Sequence, residues 1–495
     1  MRARDLIKTA SPAAPLLNSI YRDDGLFWYA LPMSSTYHGC RITVMGLGRF
    51  GGGTAAARYL ADHGARVTVT DLRTEAELAD ELAALDDVPL EGIHVGGHRE
   101  NDFVNTDMVV VSPAVAPSSP FLKMASFANV RLSSEIELFW NAKRSPIIGV
   151  TGTVGKSSTA TLIADMLRAG GLGGHLGGNI GHSLLGEVDD IKPEDWVVLE
   201  LSSFQLHGLR RLKVSPEIAV VTNFVPNHLN WHRTVEHYRQ SKQTILAYQT
   251  PNDAAVLNAD DLDVSRWETL GNRLTFSGGP STQSTAIVKN GEIKLSHQEV
   301  STSLTLPPTL DSPHQSQNAA AAATAALAAG VDIDAIATGL REFAPLPHRL
   351  EQVGQTLGRT FVDDSKSTTP RATVAAVEAT PKPLRLIVGG ADGDIDLRPL
   401  VDAAARSSVA IYLIGQTAIQ IETLLRDFAP QARTIRCSTL RAAVLRAWGE
   451  SRNGDTILLS PGCPSYGEFQ DYRDRGMTFR ECVADIAAED SAQAA

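Results

Sequence analysis

The sequence predicts an α/β protein of three domains. Its 495 residues, divided by roughly 150 per domain, give about three units. Apolar, β-rich runs alternate along the chain with glycine turns and helical stretches, the pattern of parallel α/β sheets. A proline-rich break, FAPLPHR at 343–349, separates the last set of strands from the rest. Apolar residues make up 43% and charged residues 20%, a globular balance. The net charge of −11 argues against a general nucleic-acid binder. No run approaches the roughly 18 apolar residues of a membrane span. The four cysteines, Cys40, Cys437, Cys463 and Cys482, show neither a zinc-ligand spacing nor a disulfide framework. These features predict a cytoplasmic, reduced protein.

Residues 1–39 read as a disordered extension, with Met33 as an alternative translation start. The acidic, alanine-rich end from Ala484 to Ala495 reads as frayed. The first domain is expected over 40–145. It opens with the strand CRITVMGLG, the helix Thr54 to His63 closed by Gly64, and a second strand ending at Asp71; MVVVSP at 108–113 is a further buried strand. The second is expected over 146–344. It holds the strand PIIGVT at 146–151, a helix beginning near Lys156, strands WVVLE at 196–200 and IAVVTN at 218–223, and an alanine-rich helix at 318–330. The third, over 345–489, contributes strands at 359–364, 384–390, 409–415 and 455–461.

The most informative string is VTGTVGKSSTATL from Val150. A strand runs into a glycine-rich loop and then a helix, as in nucleotide phosphate sites. Glycines admit phosphate oxygens to backbone N–H groups, and the helix N-terminus favours the anion. Lys156 supplies a charge for the β- and γ-phosphates, and the Ser157 hydroxyl suits Mg²⁺. Val150 stands where the standard P-loop has glycine. The turn Gly46-Leu-Gly48-Arg49-Phe-Gly51, with Asp71 ending the next strand, fits a dinucleotide fingerprint. It serves a nicotinamide, another phosphate-bearing nucleotide, or packing alone. Glu200 ends an apolar strand at a sheet's carboxyl edge, where a carboxylate either binds Mg²⁺ or caps a helix. His228 lies at a similar edge. By periodicity alone Lys242 reads as a solvated helix lysine. DDSKSTT at 363–369 reads as a phosphate- or carboxylate-facing loop or a capped helix start. Cys463 reads as a small core residue.

Together these strings resemble one family, the Mur ligases of peptidoglycan precursor synthesis. TGTVGKSS is similar to the family's ATP loop, and GGNIG at 177–181 with ELSSFQL at 200–206 resembles its D-glutamate-adding branch. NHLNWH, YRQSK, LPHR, DDSKST and SPGCPSYGEF follow in the family's order, so the resemblance covers about residues 40–485. It implies an N-terminal Rossmann-like domain that binds UDP through Gly46, Gly48, Arg49 and Asp71, a central P-loop ATPase-type domain, and a C-terminal Rossmann-like domain for the amino acid. It implies that Gly152, Thr153, Val154, Gly155, Lys156, Ser157 and Ser158 hold the ATP phosphates, with Asn318, Arg349 and Asp364 also serving ATP. Ser157, Glu200, His228 and Lys242 would hold Mg²⁺, as two ions, with Lys242 carried as a carbamate. Asn179, Ser202, Thr368, Ser465 and Tyr472 would contact substrate, and Lys156, His228, Lys242 and Lys366 would be catalytic. His348 would lie with Arg349 at the joint between the last two domains.

The resemblance implies an ATP-dependent ligase whose partners are UDP-N-acetylmuramoyl-L-alanine, D-glutamate and ATP, acting as a monomer without nucleic acid or membrane. ATP would convert the L-alanyl carboxylate to an acyl phosphate, which the D-glutamate amine attacks. Asn227 and Asn230 stand where the family commonly has aspartate, Gln315 where it has asparagine, and Gly393 where it has a lysine for the amino acid's carboxylate. Arg371 and Lys382 are the candidates by sequence proximity to replace that lysine. The competing readings are a Mur-type or folylpolyglutamate-type ligase with another substrate, a nicotinamide oxidoreductase, and a non-catalytic UDP-sugar binder.

Overall fold

The structure, a computed structural model, describes residues 20–23, 26–29, 37–48, 51–279, 284–297, 300–344, 346–393 and 395–493. It divides into two compact units. One comprises the chain up to Thr275 with Thr324–Ala335; the other comprises Phe276–Ala323 and the chain from Ile336 onward.

In the first unit, β1 (Ile20–Asp23) and β2 (Leu26–Tyr29) pair antiparallel. This corrects the expectation of a wholly disordered extension; the remainder of residues 1–36 lies outside the described residues. A parallel sheet follows, formed by β3 (Arg41–Met45), β4 (Arg66–Thr70), β5 (Gly92–His94), β6 (Met108–Val111) and β7 (Arg131–Ser133) in the order β5-β4-β3-β6-β7. Every residue of β6 is buried, as its unbroken MVVV run requires of a strand covered on both faces. The order reverses between β3 and β6, so the Gly46 turn leaves the sheet at its switch point, the usual ligand crevice of such sheets.

A second parallel sheet holds β8 (Ile147–Thr151), β9 (Gly173–Gly178), β10 (Trp196–Glu200), β11 (Ile218–Val221) and β12 (Ala254–Asn258) in the order β9-β10-β8-β11-β12. β8 is buried throughout and lies between β10 and β11. The loop leaving β8 is therefore flanked by Glu200 on one side and by Thr222 and Asn223 on the other.

In the second unit, residues of β13 (Asn272–Ser277) pair in parallel with β14 (Ala286–Lys289), which continues antiparallel through β15 (Glu292–His297) and β16 (Val300–Thr305). A further sheet contains β17 (Glu351–Thr356), β18 (Arg359–Asp363), β19 (Leu384–Gly389), β20 (Ser408–Ile414), β21 (Thr434–Arg436) and β22 (Thr456–Leu459). Its order is β17-β18-β22-β19-β20-β21, and only β17 is antiparallel. The helix Tyr472–Gln493 closes the chain, so the expectation of fraying from Ala484 is corrected. Phe479, Cys482, Val483 and Ile486 on its inner face are buried and hold that stretch in place. The alanine-rich helix spans Pro313–Ala328, five residues earlier than its composition suggests, with proline tolerated as its first residue.

Candidate active site

The loop after β8 is built around glycine. Gly152 has φ 148°, and a Cβ there would sit 1.9 Å from Thr222 Oγ1. Gly155, at φ 83°, precedes the helix Lys156–Ala169. The loop is braced from β11's end: Asn223 Oδ1 accepts from the N–H groups of Thr153 (3.1 Å) and Val154 (3.0 Å), and Thr222 Oγ1 donates to the Val154 carbonyl at 2.7 Å. Thr153 Oγ1 donates to the Val225 carbonyl and lies 3.2 Å from Tyr238 Oη. Position 154 is thus held through its backbone N–H and carbonyl. Lys156 Nζ curls back to the Thr153 carbonyl at 3.0 Å. Ser157 Oγ donates to Glu200 Oε2, and Asn179 Nδ2 donates to Glu200 Oε1 at 2.9 Å. Glu200 is buried, Asn179 exposed, and Ser158 buried one residue along the helix.

Lys242 is only 2% exposed, which overturns its reading as a solvated helix lysine. From the helix Val235–Ala247 its Nζ donates to the Gly152 carbonyl (2.8 Å) and Thr151 Oγ1 (3.3 Å) and stands 5.0 Å from the centre of the Tyr238 ring. Burial pushes its pKa well below 10.5, the Lys156 charge pushes the same way, and Glu200 opposes them. His228, at φ 53°, lies against Phe204 with ring centroids 5.0 Å apart. It keeps some exposed surface, yet desolvation by the surrounding protein, with the charges of Lys156 and Lys242, lowers its pKa to about 4. Desolvation is the larger cause and the Lys156 charge acts in the same direction, so the imidazole is neutral near pH 7. Among the described residues no group of three or more His, Cys, Asp or Glu forms a metal cage.

At the switch point, Gly46 and Gly48 have φ 85° and 72°. The close approach of turn and helix falls to Gly53, not Gly51: a Cβ on Gly53 would lie 2.3 Å from the Gly46 carbonyl oxygen. Asp71 Oδ2 accepts from the Leu47 N–H at 3.0 Å, and its carboxylate also meets Arg73. Burial pushes the Asp71 pKa up, but the bonds from Arg73 and Leu47 outweigh it and leave the group below the usual range. Asp71 therefore braces the turn. Arg49 lies outside the described residues. Ser202 caps the helix Ser203–Leu209 in a reciprocal capping box with Gln205.

In the second unit, Asp363 ends β18 and the loop after it carries Asp364, Lys366 and Thr368. Asp364 is buried; it accepts from Ser460 Oγ (2.7 Å) and the Leu350 N–H (3.3 Å), and burial raises its pKa to about 7. Lys366 Nζ stands 3.7 Å from the centroid of the Tyr472 ring. Burial raises the Tyr472 pKa, but the charges of Lys366 and Arg473 win and lower it. The Thr368 N–H donates to the Lys366 carbonyl. His348 Nδ1 lies 2.7 Å from Asp363 Oδ2, and the neighbouring Arg349 N–H donates to the Leu346 carbonyl. Ser465 lines a cavity of about 370 Å³ with Gln416, Ser438, Glu468 and Arg475. Asn318 Nδ2 donates to Gln315 Oε1 on the alanine-rich helix. At Gly393 a Cβ would meet Pro464 Cγ at 3.1 Å, so a proline ring abuts the place expected of a lysine. Lys382, whose Nζ donates to Ser407 Oγ, precedes the amino end of β19, opposite the edge that leads to Gly393. It is thereby removed as a replacement cation. Arg371, second residue of the helix Pro370–Ala379, follows the Thr368 loop directly.

Three family matches cover most of the chain: the Mur ligase MurD-like N-terminal domain over residues 40–134, the Mur ligase middle domain over 150–326, and the Mur ligase glutamate ligase domain over 348–463. The chain belongs to the Mur ligase family. It is 36% identical over 451 residues to the UDP-N-acetylmuramoylalanine–D-glutamate ligase of Acidobacterium capsulatum, covering 90% of this chain and 96% of that protein. It is also 36% identical to the enzyme so named from a Roseiflexus species, over 90% and 98%. Among solved structures, the UDP-N-acetylmuramate–alanine ligase of Thermotoga maritima superposes with a TM-score of 0.58 at 17% identity, covering 91% of this chain and 99% of the other. A pseudomurein peptide ligase from Methanothermus fervidus gives 0.56 at 19%, over 90% and 100%. At those identities the likeness speaks to the fold, the three-domain α/β architecture of Mur ligases.

In this Mur ligase the structure gathers Lys156, Ser157, Glu200, Asn179, Lys242 and His228 around the loop after β8. Separately, in the second unit, it gathers Asp364, Lys366, Thr368, Tyr472 and Ser465. Sequence reasoning missed Thr222 and Asn223, which brace the phosphate loop; polar residues ending the apolar strand IAVVTN were the available signal. It also missed Asp363 as the partner of His348, and Arg475, for which no local signal exists.

Proposed function

We propose that this Mur ligase joins D-glutamate to UDP-N-acetylmuramoyl-L-alanine in peptidoglycan synthesis, with ATP converted to ADP and phosphate. The observation that carries the reading is the identity, spread over 90% of the chain, to enzymes named for that reaction. The glycine loop with Lys156, Ser157 and Glu200 supports the ATP half of it. The ranges 40–145, 146–344 and 345–489 would take UDP substrate, ATP and amino acid in turn, and each matched stretch falls inside one of them.

A carboxylate resists attack by an amine, so it is first activated as an acyl phosphate. The amine then adds to the carbonyl carbon, phosphate leaves with the C–O bonding pair, and the amine loses a proton. Lys156 and the helix N-terminus supply positive charge for the phosphates, and the rigid loop holds them in place. Asn179 and Ser157 fix both oxygens of Glu200, so its carboxylate has one orientation. The residues fit Mg²⁺: a hydroxyl and a buried carboxylate side by side suit a hard cation that also uses phosphate oxygens and water. Ser157 and Glu200 would hold one ion, His228 and Lys242 a second, and the ions would offset charge on the transferring phosphoryl group. Burial, which lowers the Lys242 pKa, favours loss of the proton from the amine that would add CO₂, and a carbamate there would present an anion. His228 is neutral near pH 7 and keeps a lone pair. In the second unit, Lys366, held over Tyr472, with Thr368 and Ser465, would position the amino acid. The reading also carries a cytoplasmic, monomeric enzyme that binds no nucleic acid. The net charge of −11 supports the last point, and sedimentation tests the monomer.

The deciding measurement is phosphate release with UDP-N-acetylmuramoyl-L-alanine and each of D-Glu, L-Glu, meso-diaminopimelate and L-Lys. D-Glu is expected to be preferred; preference for another amino acid overturns the assignment.

A further inference from the structure

We infer that Arg475 is a positioning residue for the amino-acid site, a buried guanidinium that fixes the three loops leaving the carboxyl ends of β18, β22 and β19 relative to one another. Its side chain is 0% exposed. Nε donates to Ser365 Oγ at 3.0 Å and Nη2 to the Ser365 carbonyl at 2.9 Å, gripping the residue beside Lys366 from two directions. Nη1 donates to the carbonyls of Cys463 (3.1 Å) and Pro464 (3.4 Å), directly before Ser465. The same Pro464 carbonyl accepts from the Ala391 N–H at 2.9 Å, which brings in the loop of Gly393. All of these acceptors are backbone carbonyls or a hydroxyl. The fork therefore spends its planar geometry on main chain, where a lysine could not hold two loops at once. Ser365 Oγ in turn donates to the Tyr472 carbonyl, so the residue under Lys366 is tied into the same network.

The next residue adds a second constraint. A Cβ on Gly476 would fall 2.1 Å from His348 Nδ1, so glycine is required there for His348 to reach Asp363. Two consecutive residues of the closing helix thus set both flanks of the loop that carries Asp364 and Lys366. Burial of a cation among dipoles is costly; burial lowers the Arg475 pKa to about 10, still charged near neutrality. A residue that only filled space would not need that charge.

The inference rests on the proposed D-glutamate ligase reading, and the experiment separates the two. Arg475→Lys and Arg475→Gln are assayed in the full-length enzyme by phosphate release. The KM for D-glutamate is expected to rise roughly tenfold or more, with a fall in kcat, while the KM for UDP-N-acetylmuramoyl-L-alanine stays within about twofold. Arg475→Lys keeps the charge and should fail to rescue. An unchanged D-glutamate KM in folded variants, or wild-type behaviour of Arg475→Lys, overturns the inference. Should both variants fail to fold, Ser365→Ala removes the acceptor of Nε together with the hydroxyl's bond to the Tyr472 carbonyl and leaves the bonds to the backbone carbonyls; it should raise the same KM by roughly two- to fivefold, and no rise overturns the inference. If the wild-type enzyme itself does not use D-glutamate, the proposed function fails before Arg475 is tested.

Discussion

The two candidate sites solve the placement of a cation differently. In the first unit, Lys156 and Lys242 are held by a loop whose shape is set by glycine dihedrals, and each lysine bonds to a carbonyl of that loop. In the second unit, Lys366 lies over an aromatic ring, on a loop secured by an arginine 109 residues further along the chain. The first arrangement is local and phosphate-shaped, because phosphate oxygens are met by backbone and one charge. The second is assembled from distant segments, because an amino acid must be met by side chains of several loops. Disruption of the first should abolish chemistry, whereas disruption of the second should mainly weaken and misplace one substrate.

The largest effect is expected for Lys156→Ala. Loss of the charge on the transferring phosphoryl group should cost a few kcal/mol of transition-state stabilisation, on the order of hundredfold or more in kcat, with the melting temperature nearly unchanged. Near-normal turnover of the folded variant would remove the loop from the mechanism. Lys242→Ala should be nearly inactive and partly restored by formate or acetate, small anions able to enter the space of a carbamate. Full activity without additive would show that the buried amine serves packing only.

Gly152→Ala should destabilise by roughly 1–3 kcal/mol, since the added methyl meets Thr222 Oγ1 and φ lies in the left-handed half of the map. Thr222→Ala on the same background should recover part of the loss in a thermal melt. Recovery of all of it would show that the contact matters and the dihedral does not.

Two desolvated carboxyls compare the units by pH. The folded-state pKa of Asp364 is raised from 3.8 to about 7, so its ionised form is disfavoured in the fold. Its contribution is fully present below the unfolded value and is lost as pH rises through about 7. Asp364→Asn should therefore gain stability relative to wild type between pH 5 and 8, by at most a few kcal/mol. Glu135, hydrogen-bonded with Ser183 in the first unit, is raised from 4.5 to about 7. Glu135→Gln should give the same sign with a smaller total gain, because its shift spans a narrower pH range, and parallel pH–melting curves for variant and wild type would refute either case.

The smallest effect is expected at Gly393. Gly393→Lys should lower the D-glutamate KM by roughly tenfold at most, because a charge-assisted bond is gained while the Pro464 ring must shift. Pro464→Ala added to it should enlarge the gain. If KM rises instead, the proline has replaced the lysine's role by reshaping the pocket.

Much of this was legible in the chain. Strands such as Ile147–Thr151 and Trp196–Glu200 announce themselves as unbroken apolar runs, and the loop from Gly152 to Ser158 carries its own geometry in its glycines. Glu200 was identified because a carboxylate ending such a strand sits at the ligand edge. Lys242 was misread by periodicity. Its charge suggested a solvated position, although Tyr238, Ile245 and Leu246 lie three and four residues away on the same face, and the packing of that helix against the phosphate loop buries it. The strands at Ile20–Asp23 and Leu26–Tyr29 were missed because four-residue runs resemble an interrupted apolar stretch. Lys382 looked close to Gly393 in number but belongs to the other end of a strand.

The sequence by itself determined the α/β class, the phosphate loop and the edge positions of its acidic and histidine residues, since periodicity and glycine dihedrals are local properties of the chain. Only the tertiary structure decided that Asn223 braces that loop, that Lys242 is buried with a depressed pKa, and that Arg475 joins Ser365 to Cys463 and Pro464. Those outcomes depend on which segments meet and on how much water their meeting excludes, and neither quantity is written in the neighbours of any single residue.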